Sequence, residues 1–354
     1  MASAERAKVA RAKRIVVKIG SRTLAGDLAV YGRLARAIAG ARADKRSVVI
    51  VSSGAIALGT KKLGYRARPK EMARLQAAAA AGQSVLMRAY EDALGSLGIT
   101  VAQVLLTHAD LADRVRANNA RAALAELLLA GAVPILNEND SVAVEEIKFG
   151  DNDQLSAMVA PLVDADLLVL LSDVEGLLDE SGARVPVVRD VAREALPLVR
   201  TTKSAVGTGG MASKIEAARR ATMAGAHVVI ADARAEDVLG DVLAGKDVGT
   251  LFCPTGERLS ARRYWIAFTL RPQGDLILDR GAVLAVKDKG KSVLAIGVLG
   301  VRGDFREGDS VRLVDPDGAE IGRGLARCSS QAAAARAGHE AEVLVHRDDF
   351  VLTR

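Results

Sequence analysis

Short, continuously apolar segments alternate with longer segments in which apolar residues recur at helical spacing. The continuous segments predict strands buried on both faces, since such strands have no solvent-facing side to carry polar residues. The predicted strands are residues 14–20, 47–51, 99–106, 132–136, 166–171 and 227–231. The predicted helices are residues 28–43, 70–95, 113–130, 153–164 and 210–224. This alternation predicts an α/β fold, with a mostly parallel open sheet sandwiched by helices.

The pattern changes near Phe252. Beyond it the apolar runs are short and separated by turn-forming residues; they are 275–278, 282–286, 293–298 and 310–314. These features predict a small β-rich domain. The predicted divisions are a basic tail (1–13), an α/β domain (14–254), a linker (255–262) and the β-rich domain (263–354). The tail has no apolar core, so we expect a frayed segment and not a secretory signal.

The densest group of polar residues lies around the end of the fourth predicted strand and the start of the helix that follows. It contains Asn137 and Asp140, then Asp151, Asn152 and Asp153. The carboxyl ends of strands in an open α/β sheet are where ligands bind. An Asn amide both donates and accepts hydrogen bonds, so it can hold an amine or a carboxylate. The group therefore predicts an enzyme pocket for a small zwitterionic molecule.

Three further turns offer groups suited to an anion. Lys18 ends the first strand, where it either faces a phosphate or lays its stem along apolar surface. The small residues at 52–55 expose backbone N–H groups, although, taken alone, an ordinary turn with a serine cap is the favoured explanation. The Gly-rich segment 207–214 opens a helix and places Lys214 in its first turns, which favours a phosphate cradle over a flexible loop. Ser172-Asp173 by itself is typical of an ordinary turn.

Two lysines on separate turns, with a polar loop between them, indicate phosphoryl transfer. That chemistry requires cations around the moving phosphoryl group and rigid positioning of donor and acceptor. Mg²⁺ fits this chemistry and keeps mostly water and phosphate oxygens as ligands, so no protein metal site is predicted. Cys253 and Cys328 lack metal-ligand spacing, and the four histidines show no catalytic spacing.

Composition adds three points. The net charge of +6 suits anionic ligands such as nucleotides or RNA, but aromatic residues make up only 3% and offer little surface for stacking single-stranded nucleic acid. No apolar run approaches the ~20 residues that span a bilayer, so no membrane association is expected. Two cysteines without a pairing pattern favour a reducing, cytoplasmic location.

Taken together, the motifs resemble the amino acid kinase family, most closely its members that phosphorylate glutamate, and the tail from about residue 263 resembles the PUA domain that many of them carry. The matching motifs are residues 16–21, 51–57, 135–140, 150–153, 171–177, 207–214 and 248–252. Their order and spacing agree with the family. The resemblance implies transfer of the γ-phosphoryl group of ATP to the γ-carboxylate of L-glutamate, which yields glutamyl 5-phosphate for proline biosynthesis.

The resemblance also implies roles for residues. Lys18 and Lys214 would stabilise the transferring phosphoryl group, and Asp153 would hold the two lysines. Asp153 would not act as a base, because a carboxylate nucleophile is already ionised at neutral pH. The implied glutamate-binding residues are Ser53, Asn137, Asp140, Asp151 and Asn152, with Asp140 for the ammonium group. The implied ATP-binding residues are Lys18, Ser172, Asp173, Thr208, Gly209, Gly210, Met211, Ala212, Ser213 and Lys214.

The implied partners are a second copy of the chain in a dimer or tetramer, proline as a feedback inhibitor, and a glutamyl phosphate reductase that receives the product. Two alternatives stay open. The first is another amino acid kinase, acting on aspartate, acetylglutamate or carbamate. The second is an RNA-binding protein that acts through the PUA-like domain. The compact stretch 178–186 differs from the family and leaves the nucleoside preference open.

Overall fold

The structure, a computed structural model, describes residues 2–26, 29–142, 152–201, 210–254 and 258–353. The chain forms two compact units, Met1–Arg258 and Leu259–Arg354. The division between them falls within the predicted linker at 255–262.

The first unit contains a sheet of eight strands in the order β3-β4-β2-β1-β5-β7-β8-β6. The strands are β1 (Arg14–Ile19), β2 (Ser47–Ser52), β3 (Val101–Leu106), β4 (Val133–Glu138), β5 (Leu167–Ser172), β6 (Val187–Val188), β7 (His227–Asp232) and β8 (Thr250–Phe252). β1 pairs in parallel with β2 and with β5, and β8 runs antiparallel to β7. The predicted fold class, a mostly parallel sheet, is therefore confirmed.

The helices of the first unit cover both faces of this sheet. They are α1 (Ala2–Ala10), α2 (Ser21–Gly26), α3 (Ala29–Ala43), α4 (Ala55–Lys62), α5 (Met72–Gly95), α6 (His108–Ala112), α7 (Arg114–Leu129), α8 (Asn152–Leu162), α9 (Leu196–Thr201), α10 (Met211–Met223) and α11 (Val238–Leu243). One core lies beneath α3, α5 and α11, and the other beneath α8 and α10. Alternate residues of β1 enter the two cores: Val17 packs into the first and Val16 into the second.

The prediction of a frayed tail at 1–13 was wrong, because residues 2–10 form α1. The anchor is Arg6, which is 3% exposed. Its guanidinium donates to the carbonyl oxygens of Val248 (2.6 Å) and Gly249 (2.8 Å). Val9, with 1% of its surface exposed, packs into the first core. A single buried cation with several carbonyl acceptors thus orders a segment whose composition alone suggested none.

The second unit is built around a five-stranded sheet in the order β11-β9-β12-β13-β15 and a separate pair, β10-β14. Its strands are β9 (Gly274–Leu278), β10 (Val293–Leu294), β11 (Val298–Gly303), β12 (Ser310–Val314), β13 (Glu320–Leu325), β14 (Val343–Val345) and β15 (Phe350–Leu352). Its helices are α12 (Ala261–Tyr264), α13 (Arg280–Lys289) and α14 (Ser330–Arg336). The apolar run 282–286 therefore belongs to a helix. The Asp279 side chain caps the start of that helix, and Gly290 ends it in a left-handed conformation.

Candidate active site

Four strand ends meet at one edge of the larger sheet. β1 lies between β2 and β5, and β4 lies beyond β2. These strands run parallel, so their carboxyl ends share that edge. The chain passes from β1 to β2 on one side and returns to the other side at β5, which opens a crevice of the kind where ligands bind in such sheets.

Lys18, Asp153 and Lys214 come together at this edge. Lys18 shares the face of β1 that carries Val16, and α8 packs against that strand. Asp153 lies in the first turn of α8, and its Oδ1 contacts the Nζ of Lys18. Its Oδ2 lies 3.2 Å from the Nζ of Lys214, in the first turns of α10. All three are buried, with exposed fractions of 6%, 0% and 5% for Lys18, Asp153 and Lys214.

The electrostatics of this triad favour an anion. Two ammonium groups and one carboxylate leave one net positive charge when all three are ionised. α8 and α10 pack against each other and both begin here, so the positive ends of two helix dipoles add to that charge. A dianionic group such as a phosphoryl group is the kind of ligand that such a place stabilises.

A network of amides lies beside the triad. The Nδ2 of Asn152 donates to the backbone oxygen of Ser52 (3.1 Å), to the Oγ of Ser53 (2.8 Å) and to the Oδ1 of Asn137 (3.0 Å). The network therefore joins the end of β2, the end of β4 and the start of α8. Three of the predicted glutamate-binding residues, Ser53, Asn137 and Asn152, are in mutual contact through it.

Helix α5 completes the network with residues that we did not select from the sequence. Gln83 accepts a hydrogen bond from Asn137 (3.0 Å), and Tyr90 shares one with Ser52 (2.9 Å). A signal was present, because Gln83 is a polar residue at helical spacing with Leu86 and Tyr90, all on the buried face.

A cavity of about 260 Å³ opens next to the network. Its walls include Gln83 and Ser84 of α5, Glu138 at the end of β4, and Asn139 and Asp140 just after that strand. Burial, together with the charge of Asp140, raises the pKa of Glu138 to about 8. Burial raises the pKa of Asp140 to about 6, against the opposing effect of Arg68. Two carboxylates that resist ionisation in one cavity are suited to a cationic ligand, because a cation stabilises both charged forms.

The predicted nucleotide-binding residues are only partly described. Ser172 and Asp173 lie at the end of β5, where Asp173 accepts from Ser172 (3.1 Å) and pairs with Arg22 (2.6 Å). Gly210 caps α10, and Met211, Ala212 and Ser213 form its first turn. The Oγ of Ser213 is buried and has no partner among the described residues. Thr208, Gly209 and, in the glutamate set, Asp151 lie outside the described residues.

The described part of the chain holds no group of three or more His, Cys, Asp or Glu residues placed to bind a metal ion. Within the same residues, no helix has both the length and the apolar character needed to cross a membrane.

This fold and this buried lysine pair define a class of phosphotransferase. The chain belongs to the amino acid kinase family: the model of that family matches residues 13–232, and the model of the PUA domain matches residues 274–347. The family resemblance drawn from the motifs is confirmed for both parts of the chain.

The curated relatives show which members of the amino acid kinase family this chain is similar to. The chain is 46% identical to the glutamate 5-kinase of Myxococcus xanthus across 99% of each chain. It is 44% identical to the glutamate 5-kinase of Geobacter metallireducens across 97% of this chain and 98% of the relative. A third glutamate 5-kinase, from Pelobacter propionicus, is 44% identical across 96% of this chain and 97% of the relative. These relatives do not favour the alternatives of an aspartate, acetylglutamate or carbamate kinase.

Proposed function

We propose that this protein transfers the γ-phosphoryl group of ATP to the γ-carboxylate of L-glutamate, forming glutamyl 5-phosphate in the first step of proline biosynthesis. The observation that carries the proposal is the contact of Lys18 and Lys214, 196 positions apart in the chain, with the single buried carboxylate of Asp153. An amide network built on Asn137 and Asn152 lies beside it.

In this proposal the two lysines act on the transferring phosphoryl group. Charge spreads over its equatorial oxygens in the transition state, and preorganised cations stabilise that charge. Asp153 fixes the two ammonium groups and takes no proton, since the attacking γ-carboxylate is already ionised. The buried positions of the three side chains support this arrangement because a low dielectric strengthens each interaction.

The acceptor amino acid is proposed to lie between the amide network and the cavity. Ser53, Asn137, Asn152 and Asp151 hold it, and Asp140 binds its ammonium group. The cavity wall formed by Glu138 and Asp140 supports the ammonium assignment. The nucleotide is assigned to Lys18, Ser172, Asp173 and residues 208–214. Mg²⁺ would bind together with the nucleotide, held mainly by its phosphates and by water, and would offset part of the phosphate charge.

The acceptor is tested by ATP turnover with Mg²⁺ in the presence of hydroxylamine, which converts an acyl phosphate into a hydroxamate. L-Glutamate, L-aspartate and N-acetyl-L-glutamate are compared as acceptors. We expect hydroxamate only with L-glutamate. Hydroxamate from another acceptor, or from none of the three, would overturn the proposal.

Asp140 has its own test. Asp140→Ala is expected to raise the KM for L-glutamate more than it lowers kcat, because the contact to the ammonium group is made in both the ground state and the transition state. Steady-state kinetics with varied L-glutamate measures this split. An unchanged KM would remove Asp140 from the ammonium site.

Self-association is part of the proposal. β3 lies at one edge of the sheet. Helix α7 leaves Leu129 80% exposed and Val115 68% exposed. These exposed apolar side chains support a dimer or tetramer built from the first unit. Analytical ultracentrifugation measures the state, and a monomer at micromolar concentration would contradict it.

The remaining elements of the proposal rest on the resemblance to glutamate 5-kinases. They are a cytoplasmic location, an amino acid kinase domain at 14–254, a PUA domain at 263–354, inhibition by proline at the glutamate site, and delivery of the product to a glutamyl phosphate reductase. RNA binding by the PUA domain is a separate question. A gel shift with structured RNA at physiological salt answers it, since phosphate contacts weaken steeply with salt.

A further inference from the structure

Gln83 is a buried polar residue with one unsatisfied donor. It lies in the middle of α5 and is 8% exposed. Its Oε1 accepts a hydrogen bond from the Nδ2 of Asn137 at 3.0 Å. Its Nε2 is buried and has no partner among the described residues. A buried donor left without a partner costs about 1–3 kcal/mol of stability. A ligand that accepts a hydrogen bond from this N–H group would remove that cost.

The orientation of the Gln83 amide follows from two backbone groups. The backbone N–H of Glu138 donates to the Oδ1 of Asn137 (2.9 Å), and a backbone N–H can only donate. The Nδ2 of Asn152 also donates to that Oδ1, and the carbonyl oxygen of Ser52 fixes Asn152 in this orientation. The Nδ2 of Asn137 is therefore a donor, and the atom of Gln83 that receives its hydrogen bond must be the oxygen. The Nε2 of Gln83 is therefore the amide atom that has no hydrogen-bond partner among the described residues.

Gln83 lines the cavity whose walls also include Glu138 and Asp140. The cavity wall thus contains a neutral amide side chain from α5 and a pair of carboxylates, one at the end of β4 and one just after it. An ammonium group suits the carboxylates, and a carboxylate suits the amide donor. An α-amino acid carries both groups on one carbon atom, so one ligand head group satisfies both walls.

We propose that Gln83 is a substrate-binding residue whose Nε2–H donates to the α-carboxylate of the acceptor amino acid. This inference rests on the proposed function and adds a residue to it. Gln83 then binds the α-carboxylate and Asp140 binds the ammonium group, while the γ-carboxylate points toward Lys18 and Lys214. Because Gln83 is neutral, it binds the α-carboxylate without adding a further charge beside Glu138 and Asp140.

The test is Gln83→Glu with two acceptors. The new carboxylate keeps an acceptor for Asn137 but replaces the N–H donor with a negative charge. L-Isoglutamine carries an amide in place of the α-carboxylate and keeps the reacting γ-carboxylate. In the wild type, the oxygen of that amide can still accept a hydrogen bond from Gln83. In the variant its amide N–H can donate to the new carboxylate, whereas the α-carboxylate of L-glutamate is repelled.

We expect the ratio of kcat/KM for L-glutamate to kcat/KM for L-isoglutamine to fall by about 100-fold or more in the variant, the scale of exchanging hydrogen bonds to charged groups. The change should appear mainly in KM for the amino acid, with KM for ATP unaltered. Hydroxamate formation provides the readout for both acceptors. The matched control is Gln331→Glu, which adds the same charge at an exposed position of α14 in the second unit, outside the walls of this cavity, and should leave the ratio within about threefold.

Equal losses with both acceptors would show that Gln83 only orients Asn137, and that would overturn the proposal, as would an unchanged KM for L-glutamate. If Gln83→Glu does not fold, as judged by circular dichroism, Gln83→Met removes the donor without adding charge. Its ratio should fall by up to about tenfold, because the hydrogen bond lost with the charged α-carboxylate is stronger than the one lost with the neutral amide, and an unchanged ratio would overturn the proposal. Wild-type protein that forms no hydroxamate from L-glutamate would instead overturn the proposed function itself.

Discussion

Asp153 is the residue on which the site is centred. Burying a charge costs free energy unless partners compensate it, and here each oxygen of one carboxylate contacts a different ammonium group. The positions of the two lysines are therefore coupled through Asp153. The net positive charge that remains attracts an anionic phosphoryl group and offsets the cost of burying it.

At the same scale, Lys214→Ala should lower kcat by about 10²–10³-fold, because one preorganised charge contact in a transition state is worth about 3–4 kcal/mol. Lys18→Ala should do the same. Turnover with saturating ATP and L-glutamate measures the loss, and circular dichroism checks the fold. Lys13→Ala, at an exposed position, is the control and should retain wild-type turnover. A lysine variant with near wild-type kcat would refute its role.

The pair Glu138 and Asp140 predicts a pH dependence of stability. Their folded pKa values of about 8 and about 6 lie above the ordinary values of 4.5 and 3.8. The folded protein thus holds these protons more tightly than the unfolded chain does. Their contribution to the free energy of unfolding therefore falls as the pH rises from about 4 to about 8.

Glu138→Gln removes one of the two titrations and cannot become charged. At each pH we compare the Tm of the variant with that of the wild type. We expect the difference, variant minus wild type, to be more positive at pH 8 than at pH 5. Scanning calorimetry at the two pH values measures the difference, and Glu126→Gln, on the exposed side of α7, is the control that should show no such dependence. The same difference in Tm at both pH values would contradict the buried-pair interpretation.

At the scale of elements, the crossing of α4 and α5 sets the position of the amide network. α4 follows the turn that carries Ser53, and α5 carries Gln83. The two helices touch at Gly59 and Gly82, where backbone meets backbone. A Cβ at Gly82 would overlap the carbonyl oxygen of Ala55, and one at Gly59 would overlap that of Ala78. Only glycine permits this approach, which brings the Gln83 side chain to Asn137.

Gly82→Ala should therefore lower the free energy of unfolding by at least about 3 kcal/mol, the upper end of ordinary overpacking, because the obstacle is backbone and cannot rotate away. Urea denaturation measures the loss. Gly95→Ala in the same helix meets nothing within 4 Å and should be neutral or stabilising by up to about 1 kcal/mol. Equal effects of the two substitutions would show that the close approach does not limit the packing.

At the scale of the whole molecule, the two units have separate cores. The two cores of the first unit draw on residues from Val9 to Cys253, and the core of the second unit draws on residues from Leu276 to Phe350. The described site residues all belong to the first unit. A unit with its own core can fold by itself.

A chain that ends at Arg258 should accordingly fold and still form hydroxamate from L-glutamate. The full chain and the truncated chain are compared by calorimetry and by the hydroxamate assay. An insoluble or unfolded truncated chain would show that the first unit depends on the second. A folded chain without activity would place part of the catalytic function in the second unit.

Local pattern was enough to predict most of the longer elements of the first unit. The strand predicted at 14–20 is Arg14–Ile19, and the helix predicted at 210–224 is Met211–Met223. Buried parallel strands and amphipathic helices have periods that are visible in a few residues. The same reasoning failed for 282–286, because a short apolar run fits a helix or a strand equally well and the Asp279 cap decided between them.

The sequence by itself determined the sheet class, the ends of most strands and the residue types gathered at those ends. These follow from short-range rules of periodicity, capping and turn formation. Tertiary structure alone decided that one carboxylate joins Lys18 and Lys214, that Arg6 anchors α1, and that Gln83 faces the cavity with Glu138. Each of these depends on which distant segments become neighbours when the apolar faces are buried, and no local pattern records that.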